Sequence, residues 1–288
     1  MTSMPKVIDV EVALQEKIPD IYKKIPAVIL WLIKKVIRQD DINRMIHQSS
    51  HLHGIPMVNW TLDQFGVNII VKGKELIPKI GQFIFPANHP IGSLDGLAII
   101  SVVATIHRPV KFIVNDLLKV IKGFEPVALY IARFGQINRQ NAISINKTLA
   151  SDAQLLIQPA GTVSKRNPVK ISDLPWNKFF ISKAIQYKRD VIPVHIQARN
   201  SRLFYNIASF RKIFRIKSNL EMFLLPREMF NKSGKTITIT VGKPIAYKTF
   251  DESRTHLEWA QKVREYVNLL GSKNFSSAST IPSFSEIL

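Results

Sequence analysis

Cysteine is absent from this 288-residue chain. That absence excludes disulfide bonds, thiolate zinc sites and cysteine nucleophiles, and it is consistent with a reducing compartment. Long apolar runs are missing too: residues 25–33 form an early run of nine that includes Pro26, whereas a membrane-spanning helix needs about 20. The first 24 residues lack a continuous apolar core and carry the acidic side chains Asp9, Glu11, Glu16 and Asp20. We therefore expect neither a secretory signal peptide nor a transmembrane helix.

Acidic residues are few, because 21 Asp and Glu stand against 40 Lys and Arg and leave a net charge of +19. Residues 161–250 hold 18 of the basic and 4 of the acidic side chains, which is +14 of that charge. Such a stretch implies an anionic partner: membrane phosphates, nucleic acid or an anionic substrate. The mean hydropathy is nevertheless +0.05, and a chain both basic and apolar favours a membrane surface. No nucleic acid partner is expected, since no recognisable binding module is present.

Short strand-like runs alternate with segments of helical length from about residue 66 onward. β-Branched or aromatic runs predict strands at 67–72, 82–85, 111–114, 154–158, 190–196, 221–225 and 236–241. Segments with a helical period lie between most of them, at 93–107, 115–132, 141–151, 176–188 and 202–214. This alternation predicts an α/β fold with a mostly parallel central sheet flanked by helices. Residues 236–241 alternate strictly between Thr and apolar residues, which predicts a strand with one solvated face at a sheet edge.

The composition divides the chain into three parts. Residues 1–60 predict an N-terminal helical segment, residues 61–271 the main domain, which ends in an amphipathic helix, and residues 272–288 a Ser-rich, loosely held tail. Within the first part, residues 25–38 are apolar, contain Trp31 and end in basic side chains. This segment either lies in a membrane interface or packs on the main domain as an ordinary buried helix, and the sequence leaves both interpretations open.

His89 and Asp95 stand six positions apart between a predicted strand and a predicted helix. In a continuous helix the two side chains would point about 120° apart around the axis. Pro90 and Gly92 supply a loop that lets them meet, and Ser93 is the predicted N-cap of the helix. Asp95 can then accept the proton of one imidazole nitrogen, which leaves the other to take a proton from a substrate hydroxyl. The alternative is a loop-capping His beside an Asp that merely favours the positive end of a helix.

Three later blocks carry polar residues at predicted loops or strand ends. Residues 134–139 end in an Arg after a turn, which either presents its guanidinium to an anion or simply lies on the surface. Residues 158–166 follow a strand and are typical of an anion-binding nest of main-chain N–H groups, or of a plain solvated loop. Residues 190–195 form a strand with an internal Pro, followed by Arg-Asn-Ser, and we interpret His195 as structural.

In this order, the four blocks resemble the glycerolipid (lysophospholipid) acyltransferase superfamily over roughly residues 65–245. They are most similar to a bacterial branch that carries the label hemolysin and includes O-acyltransferases of ornithine and glycine lipid synthesis. Two positions depart from the main superfamily pattern: five residues rather than four separate His89 from Asp95, and Ala160 stands where most members have Glu. In the main family that Glu is associated with the acceptor site, so its absence puts glycerol phosphate-type acceptors in doubt more than the chemistry. Because the branch shares both departures, they do not indicate an inactive enzyme.

The resemblance implies a mechanism. His89 acts as general base on the acceptor hydroxyl, which attacks the thioester of acyl carrier protein or coenzyme A, while Asp95 fixes the imidazole tautomer. Main-chain N–H groups near Gly92 or Gly161 hold the oxyanion, and Arg139 binds the anionic head of the acceptor. Further substrate contacts are expected at Asn88, Thr162, Ser164, Lys165 and Arg166. The reaction requires no acyl-enzyme, no metal ion and no bound cofactor.

The function expected from the resemblance is a membrane-surface O-acyltransferase that adds an acyl chain to a lyso-aminolipid, either a glycine or an ornithine lipid. A 1-acylglycerol 3-phosphate is the second candidate acceptor. The basic stretch fits an anionic membrane surface or an acidic acyl carrier protein, at the cytoplasmic face of the inner membrane. A different class of function is a non-catalytic protein that binds membranes or nucleic acids through its basic surface.

Overall fold

The computed structural model describes residues 6–17, 19–92, 94–131, 139–167, 170–214, 220–272, 275 and 277–288. Its strands are β1 (Asn68–Lys72), β2 (Phe83–Pro86), β3 (Val110–Asn115), β4 (Ala128–Ile131), β5 (Gln154–Ile157), β6 (Lys165–Arg166), β7 (Ile171–Ser172), β8 (Asp190–Val191), β9 (Val194–Gln197) and β10 (Thr236–Val241). Its helices are α1 (Val10–Lys17), α2 (Pro19–Tyr22), α3 (Ala27–Ile37), α4 (Gln39–Gln48), α5 (Ile55–Gln64), α6 (Leu94–Val103), α7 (Arg139–Leu149), α8 (Phe179–Tyr187), α9 (Arg202–Ile213), α10 (Leu225–Phe230) and α11 (His256–Ser272).

The central sheet has five parallel strands in the order β4-β3-β5-β2-β8. Every residue of β2 and β5 is buried, which explains why these strands have continuous apolar sequences rather than alternating ones. Ile84 packs into the core cluster that contains α8 and α11, and Phe85 packs into the cluster that contains α5 and α6. Helices therefore cover both faces of the sheet, and the predicted α/β fold with a mostly parallel sheet is confirmed.

A three-stranded sheet in the order β1-β10-β9 lies beside the central one, with β1 and β10 parallel and β10 and β9 antiparallel. A parallel bridge between Ala87 and Val194 joins the two sheets. The predicted edge position of residues 236–241 is wrong, because β10 lies between two partners. Alternation indicates which face of a strand is buried, and in β10 this face carries Ile237 and Ile239. Alternation does not indicate how many strands pair with the segment.

The chain crosses from one sheet to the other at Pro193. The single strand predicted at 190–196 divides there into β8 of the central sheet and β9 of the smaller sheet. Proline has no N–H to donate to a neighbouring strand, so a regular ladder cannot continue through it. The crossing brings β9 alongside the loop that follows β2, where Ile196 forms hydrogen bonds with Asn88.

Two predicted elements are wrong at short apolar runs, where strand and helix are hard to distinguish. The strand predicted at 221–225 is a 3-10 turn, Leu220–Leu224, followed by α10, and Pro226 in the first turn of α10 favours a helix start. The helix predicted at 115–132 is two 3-10 turns followed by β4. Pro126 interrupts that segment, because a proline cannot complete the hydrogen bonds of a helix interior.

The N-terminal boundary predicted at residue 60 falls within α5. This helix packs on α6, and Val58 and Leu62 belong to the main core. Helix α3, by contrast, has no buried residue, although it packs against α10 and the turn Leu220–Leu224. Residues 27–37 therefore contact the main domain without being buried, and their contact with a membrane stays a prediction. Within the described part of the chain, no helix combines the length and the apolarity that crossing a bilayer requires.

The C-terminal segment packs on the main domain. Phe275, Ile281 and Phe284 are buried in the core cluster of α11, and the hydroxyl of Tyr266 donates to a carbonyl of this segment at 2.6 Å. Described residues of the tail predicted at 272–288 therefore contact the core. The Ser content indicated solvation, but a few large apolar side chains are enough to bind a short segment to a core.

Candidate active site

The loops that follow β2 and β5 meet at the carboxyl ends of these neighbouring strands, which is where open parallel sheets usually bind ligands. His89 lies on the loop after β2, and Asp95 lies in the first turn of α6. The loop after β5 reaches the same point, since the main-chain N–H of Ser164 donates to the carbonyl of His89 at 2.7 Å. The sheet order therefore brings the first and third sequence blocks together.

His89 and Asp95 meet as predicted. Nδ1 of His89 lies 3.0 Å from Oδ2 of Asp95, and the Asp95 side chain is fully buried whereas that of His89 is 16% exposed. Asp95 also accepts the main-chain N–H groups of Ile91 at 3.1 Å, Gly92 at 3.2 Å and Gly96 at 2.9 Å. A carboxylate that only accepts hydrogen bonds places the imidazole proton on Nδ1. The lone pair of Nε2 is then the proton acceptor of the site.

The two side chains shift each other's pKa. Burial, the largest effect, opposes charge on the imidazole, but the negative charge of Asp95 and the hydrogen bond to it raise the pKa of His89 above its usual value. Burial likewise opposes charge on the carboxylate, yet His89 and the N–H groups of Ile91 and Gly92 hold the pKa of Asp95 below its usual value. A raised pKa makes the neutral imidazole a stronger base.

Gly92 makes the tight turn between the two residues possible. Its φ of 92° lies in a region that side-chain-bearing residues rarely adopt, and a Cβ would lie 2.8 Å from Cδ2 of Leu225. Its N–H donates to Asp95, and the N–H of Gly161 donates to a carbonyl of its own turn at 3.0 Å. The N–H groups of Gly92 and Gly161 themselves are thus engaged within the protein, and an oxyanion site formed by main-chain N–H groups near these glycines stays a prediction.

Two other residues predicted to contact the substrate, Asn88 and Ser164, form hydrogen bonds within the protein. The amide of Asn88 donates to the carbonyl of Ile196 at 2.9 Å and accepts its N–H at 2.6 Å, so it attaches the loop after β2 to β9. Ser164 is 3% exposed, and its hydroxyl contacts the carboxylate of Asp173. The residue types were identified from the sequence, but which way a side chain faces across a loop depends on the tertiary structure.

The remaining predicted residues lie further along the loops. Thr162 is half-buried in the loop after β5, Lys165 is half-buried in β6, and Arg166 beside it is exposed. Arg139 is the exposed first residue of α7, which packs on β4 and β5. Ser93 and residues 134–138 lie outside the described residues. Contacts of these residues with a substrate stay predictions.

Asp173 is a residue of the site that the sequence did not reveal. It is 5% exposed, and each of its carboxylate oxygens lies 3.2 Å from the main-chain nitrogen of His89. Burial raises its pKa despite the hydrogen bonds that it accepts. The one available signal was its rarity as an acidic residue within the basic stretch 161–250.

The site is a histidine held by a buried carboxylate, an arrangement that suits proton removal from a hydroxyl. The described residues contain no cluster of three or more His, Asp or Glu that could hold a metal ion. The contact between Nδ1 of His89 and Oδ2 of Asp95 gives the site the chemistry of a general base.

The sequence profile of a family described as Acyltransferase matches residues 12–280. The chain belongs to this acyltransferase family. Two relatives carry the name lyso-glycine lipid O-acyltransferase. This chain is 40% identical over 261 residues to the relative from Bacteroides thetaiotaomicron, and the alignment covers 90% of this chain and 96% of the relative. This chain is 35% identical to the relative from Phocaeicola vulgatus, and that alignment covers 90% of this chain and 94% of the relative.

Among solved structures, the acyltransferase resembles the 1-acyl-sn-glycerophosphate acyltransferase PlsC from Thermotoga maritima. The two are 17% identical with a TM-score of 0.49, and the match covers 85% of this chain and 98% of the other. The family match confirms both the predicted superfamily and the prediction of an enzyme that transfers acyl groups.

Proposed function

We propose that this acyltransferase moves an acyl chain from a carrier thioester to the hydroxyl of a lyso-glycine lipid. The observation that carries the chemistry is the pairing of His89 with the buried Asp95 at the carboxyl end of β2, with Nδ1 and Oδ2 3.0 Å apart. The choice of acceptor is supported by the names of the two relatives, since both cover 90% of the chain. A lyso-ornithine lipid is the related acceptor to be tested beside it.

The proposed reaction is a direct transfer. Nε2 of His89 takes the proton of the acceptor hydroxyl as its oxygen attacks the thioester carbonyl, so that a C–O bond forms and the C–S bond breaks. Asp95 stabilises the imidazolium during this step without taking its proton. The proton then passes to the sulfur of the departing carrier thiol. A general base contributes about 10²–10⁴-fold to such a rate.

The donor is the thioester of acyl carrier protein or coenzyme A, both of which are anionic partners for a chain of net charge +19. The carboxylate of a glycine lipid needs a cationic partner, for which Arg139 is the leading candidate and Lys165 and Arg166 are further ones. Thr162, beside them on the loop after β5, can add a hydroxyl group. These residues are proposed ligands of the two substrates.

The site works at a membrane surface in this proposal, as a peripheral enzyme of the cytoplasmic face of the inner membrane. Helix α3 exposes Val28 by 65% and Trp31 by 57%, and the last residue of α9, Ile213, and the residue after it, Phe214, are exposed by 75% and 60%. Both helices pack against the turn Leu220–Leu224. Apolar side chains on elements rich in Lys and Arg are typical of helices that lie in an anionic membrane interface.

An acyl-transfer assay tests the proposal. Purified enzyme is given acyl thioesters of acyl carrier protein and of coenzyme A, with lyso-glycine, lyso-ornithine and lysophosphatidic acceptors in parallel. We expect transfer to the lyso-glycine lipid and a loss of about 10³-fold in the His89→Ala variant. His51→Ala, an exposed histidine outside the site, is the matched control and should retain full activity.

Each result has a distinct meaning. Transfer confined to the lysophosphatidic acceptor would keep the mechanism and overturn the acceptor. An unchanged rate in His89→Ala would overturn the assignment of the base. Absence of transfer to every acceptor, with membrane binding intact, would overturn the proposed substrates.

A further inference from the structure

Asp173 contacts the main chain of His89, whereas Asp95 contacts its imidazole. Its two carboxylate oxygens each lie 3.2 Å from the main-chain nitrogen of His89. The hydroxyl of Ser164 contacts Oδ1, and the indole N–H of Trp176 donates to Oδ2 at 3.0 Å. Ser164 also donates its main-chain N–H to the carbonyl of His89 at 2.7 Å. Both main-chain polar groups of His89 are therefore engaged by one small cluster.

This cluster is fixed to the rest of the molecule by α11. Trp176 is 1% exposed and packs edge-on against Phe180 with ring centroids 5.8 Å apart. Gln261 of α11 exchanges hydrogen bonds with the main chain of Trp176, at 3.3 Å and 2.7 Å. Arg264, one turn later, donates to the main-chain carbonyl of Asp173 at 2.6 Å. Asp173 is therefore hydrogen-bonded both to the long, core-packed helix α11 and to the loop that carries His89, so it links the two.

We propose that Asp173 is a positioning residue, which holds the main chain of His89 so that Nε2 stays directed at the acceptor hydroxyl. The inference rests on the proposed role of His89 as the base. Asp95 orients the imidazole from one end, and Asp173 anchors the backbone from the other. A displacement of about 1 Å at a reacting group can cost about 10²-fold in rate, so both anchors matter to the same step.

A carboxylate suits this position because its neighbours are all donors. Three N–H or O–H groups, from His89, Ser164 and Trp176, point at its two oxygens. An amide of the same shape offers one accepting oxygen, and its NH₂ group would face a donor, which leaves a buried polar group unsatisfied. The negative charge also acts on the imidazole: Asp95 and Asp173 are the two charged groups that raise the pKa of His89 against burial.

The first test compares Asp173→Asn with Asp190→Asn. Asp190 is a half-buried carboxylate of β8 that accepts the main-chain N–H of Tyr247 at 2.9 Å, so it controls for the general cost of losing such a group. For Asp173→Asn we expect kcat to fall by about 10²-fold with KM for both substrates within about threefold. Asp190→Asn should leave both constants unchanged. Equal kcat values in the two variants, per folded enzyme, would overturn the proposal.

A double variant separates action through His89 from a general effect on the fold. If Asp173 acts through the base, Asp173→Asn lowers the residual rate of His89→Ala little further, because the group it positions is gone. A full additional loss in that background would contradict the positioning role.

A measurement without substrate keeps this inference separate from the proposed reaction. An NMR titration of the imidazole should give a lower pKa for His89 in Asp173→Asn than in the wild-type enzyme, and no change in Asp190→Asn. This result is expected even if the acceptor is misassigned. An unchanged pKa of His89 would show that Asp173 does not act on the base.

Discussion

At the scale of single residues, His89 depends on partners of two kinds. Asp95 lies six positions away, and the turn at Gly92 brings the two side chains into contact. The sequence therefore contained enough information to predict this pair. Asp173 lies 84 positions away, and nothing near it in the sequence points to His89. A contact between two residues of the same loop can be predicted from the turn-forming residues between them. A contact between residues of different loops depends on the order of the strands in the sheet.

The Asp95→Asn variant tests the electrostatics of the pair. Only neutral imidazole can accept a proton, so kcat/KM of the wild-type enzyme should rise with pH through the pKa of His89, which Asp95 raises above its usual value. Removing the Asp95 charge and its hydrogen bond should shift that acidic limb to lower pH. It should also reduce kcat by about 10²–10⁴-fold, as the tautomer is no longer fixed.

The measurement is kcat/KM between pH 5 and pH 9. Asp152→Asn is a suitable control, because Asp152 is an exposed carboxylate that accepts a hydrogen bond from Gln82 at 2.8 Å. Its pH profile should match the wild-type one. An acidic limb that stays in place in Asp95→Asn would mean that another group controls the rate.

At the scale of elements, β9 and α11 meet through a histidine and a glycine. His195 pairs with Thr240 in the sheet register, and its ring lies where a Cβ on Gly271 would be, 2.1 Å from Nε2. Burial lowers the pKa of His195 to about 4, so the ring is neutral at pH 7 and packs as a flat side chain. This packing supports the interpretation of His195 as structural.

A Gly271→Ala substitution should therefore destabilise the fold by about 1–3 kcal/mol, since the added methyl group overlaps the ring of His195. Helix propensity alone would predict that alanine stabilises the helix relative to glycine, so the expected change in the free energy of unfolding has the opposite sign. Urea unfolding of the variant and the wild type gives the difference in free energy.

The matched experiment repeats Gly271→Ala in a His195→Ala background. Without the ring, the added methyl group should cost little or nothing, and the coupling between the two positions should nearly equal the cost in the wild type. A cost that is the same in both backgrounds would mean that the clash with His195 is not its cause.

At the scale of the whole molecule, charge and exposed apolar surface act together. The net charge of +19 attracts anionic surfaces over a distance set by salt, whereas the exposed side chains of α3 act only on contact. Each Lys or Arg near an anionic bilayer is worth about 1 kcal/mol. Binding of the protein to a membrane should therefore require both the positive charge and the exposed apolar side chains.

Vesicle sedimentation tests this prediction. Binding to vesicles with anionic lipid should weaken at least tenfold near 0.5 M salt, where screening shortens the reach of charge to about 4 Å. Trp31→Ser should weaken binding at both salt concentrations, because it removes an exposed apolar side chain of α3. Ile80→Ser, which removes a side chain that is 91% exposed in the loop before β2, should not. Equal binding to neutral vesicles would contradict the role of charge.

The sequence by itself determined the α/β class, the parallel sheet and the His89–Asp95 pair, because these depend on local period and on turn-forming residues. The tertiary structure alone decided that β10 has two partners, that the C-terminal segment packs on α11, and that Asp173 supports His89. Hydropathy records whether a residue is covered, and not which distant residue covers it. Strand order makes that choice, since it brings the loops after β2 and β5 to one edge of the sheet.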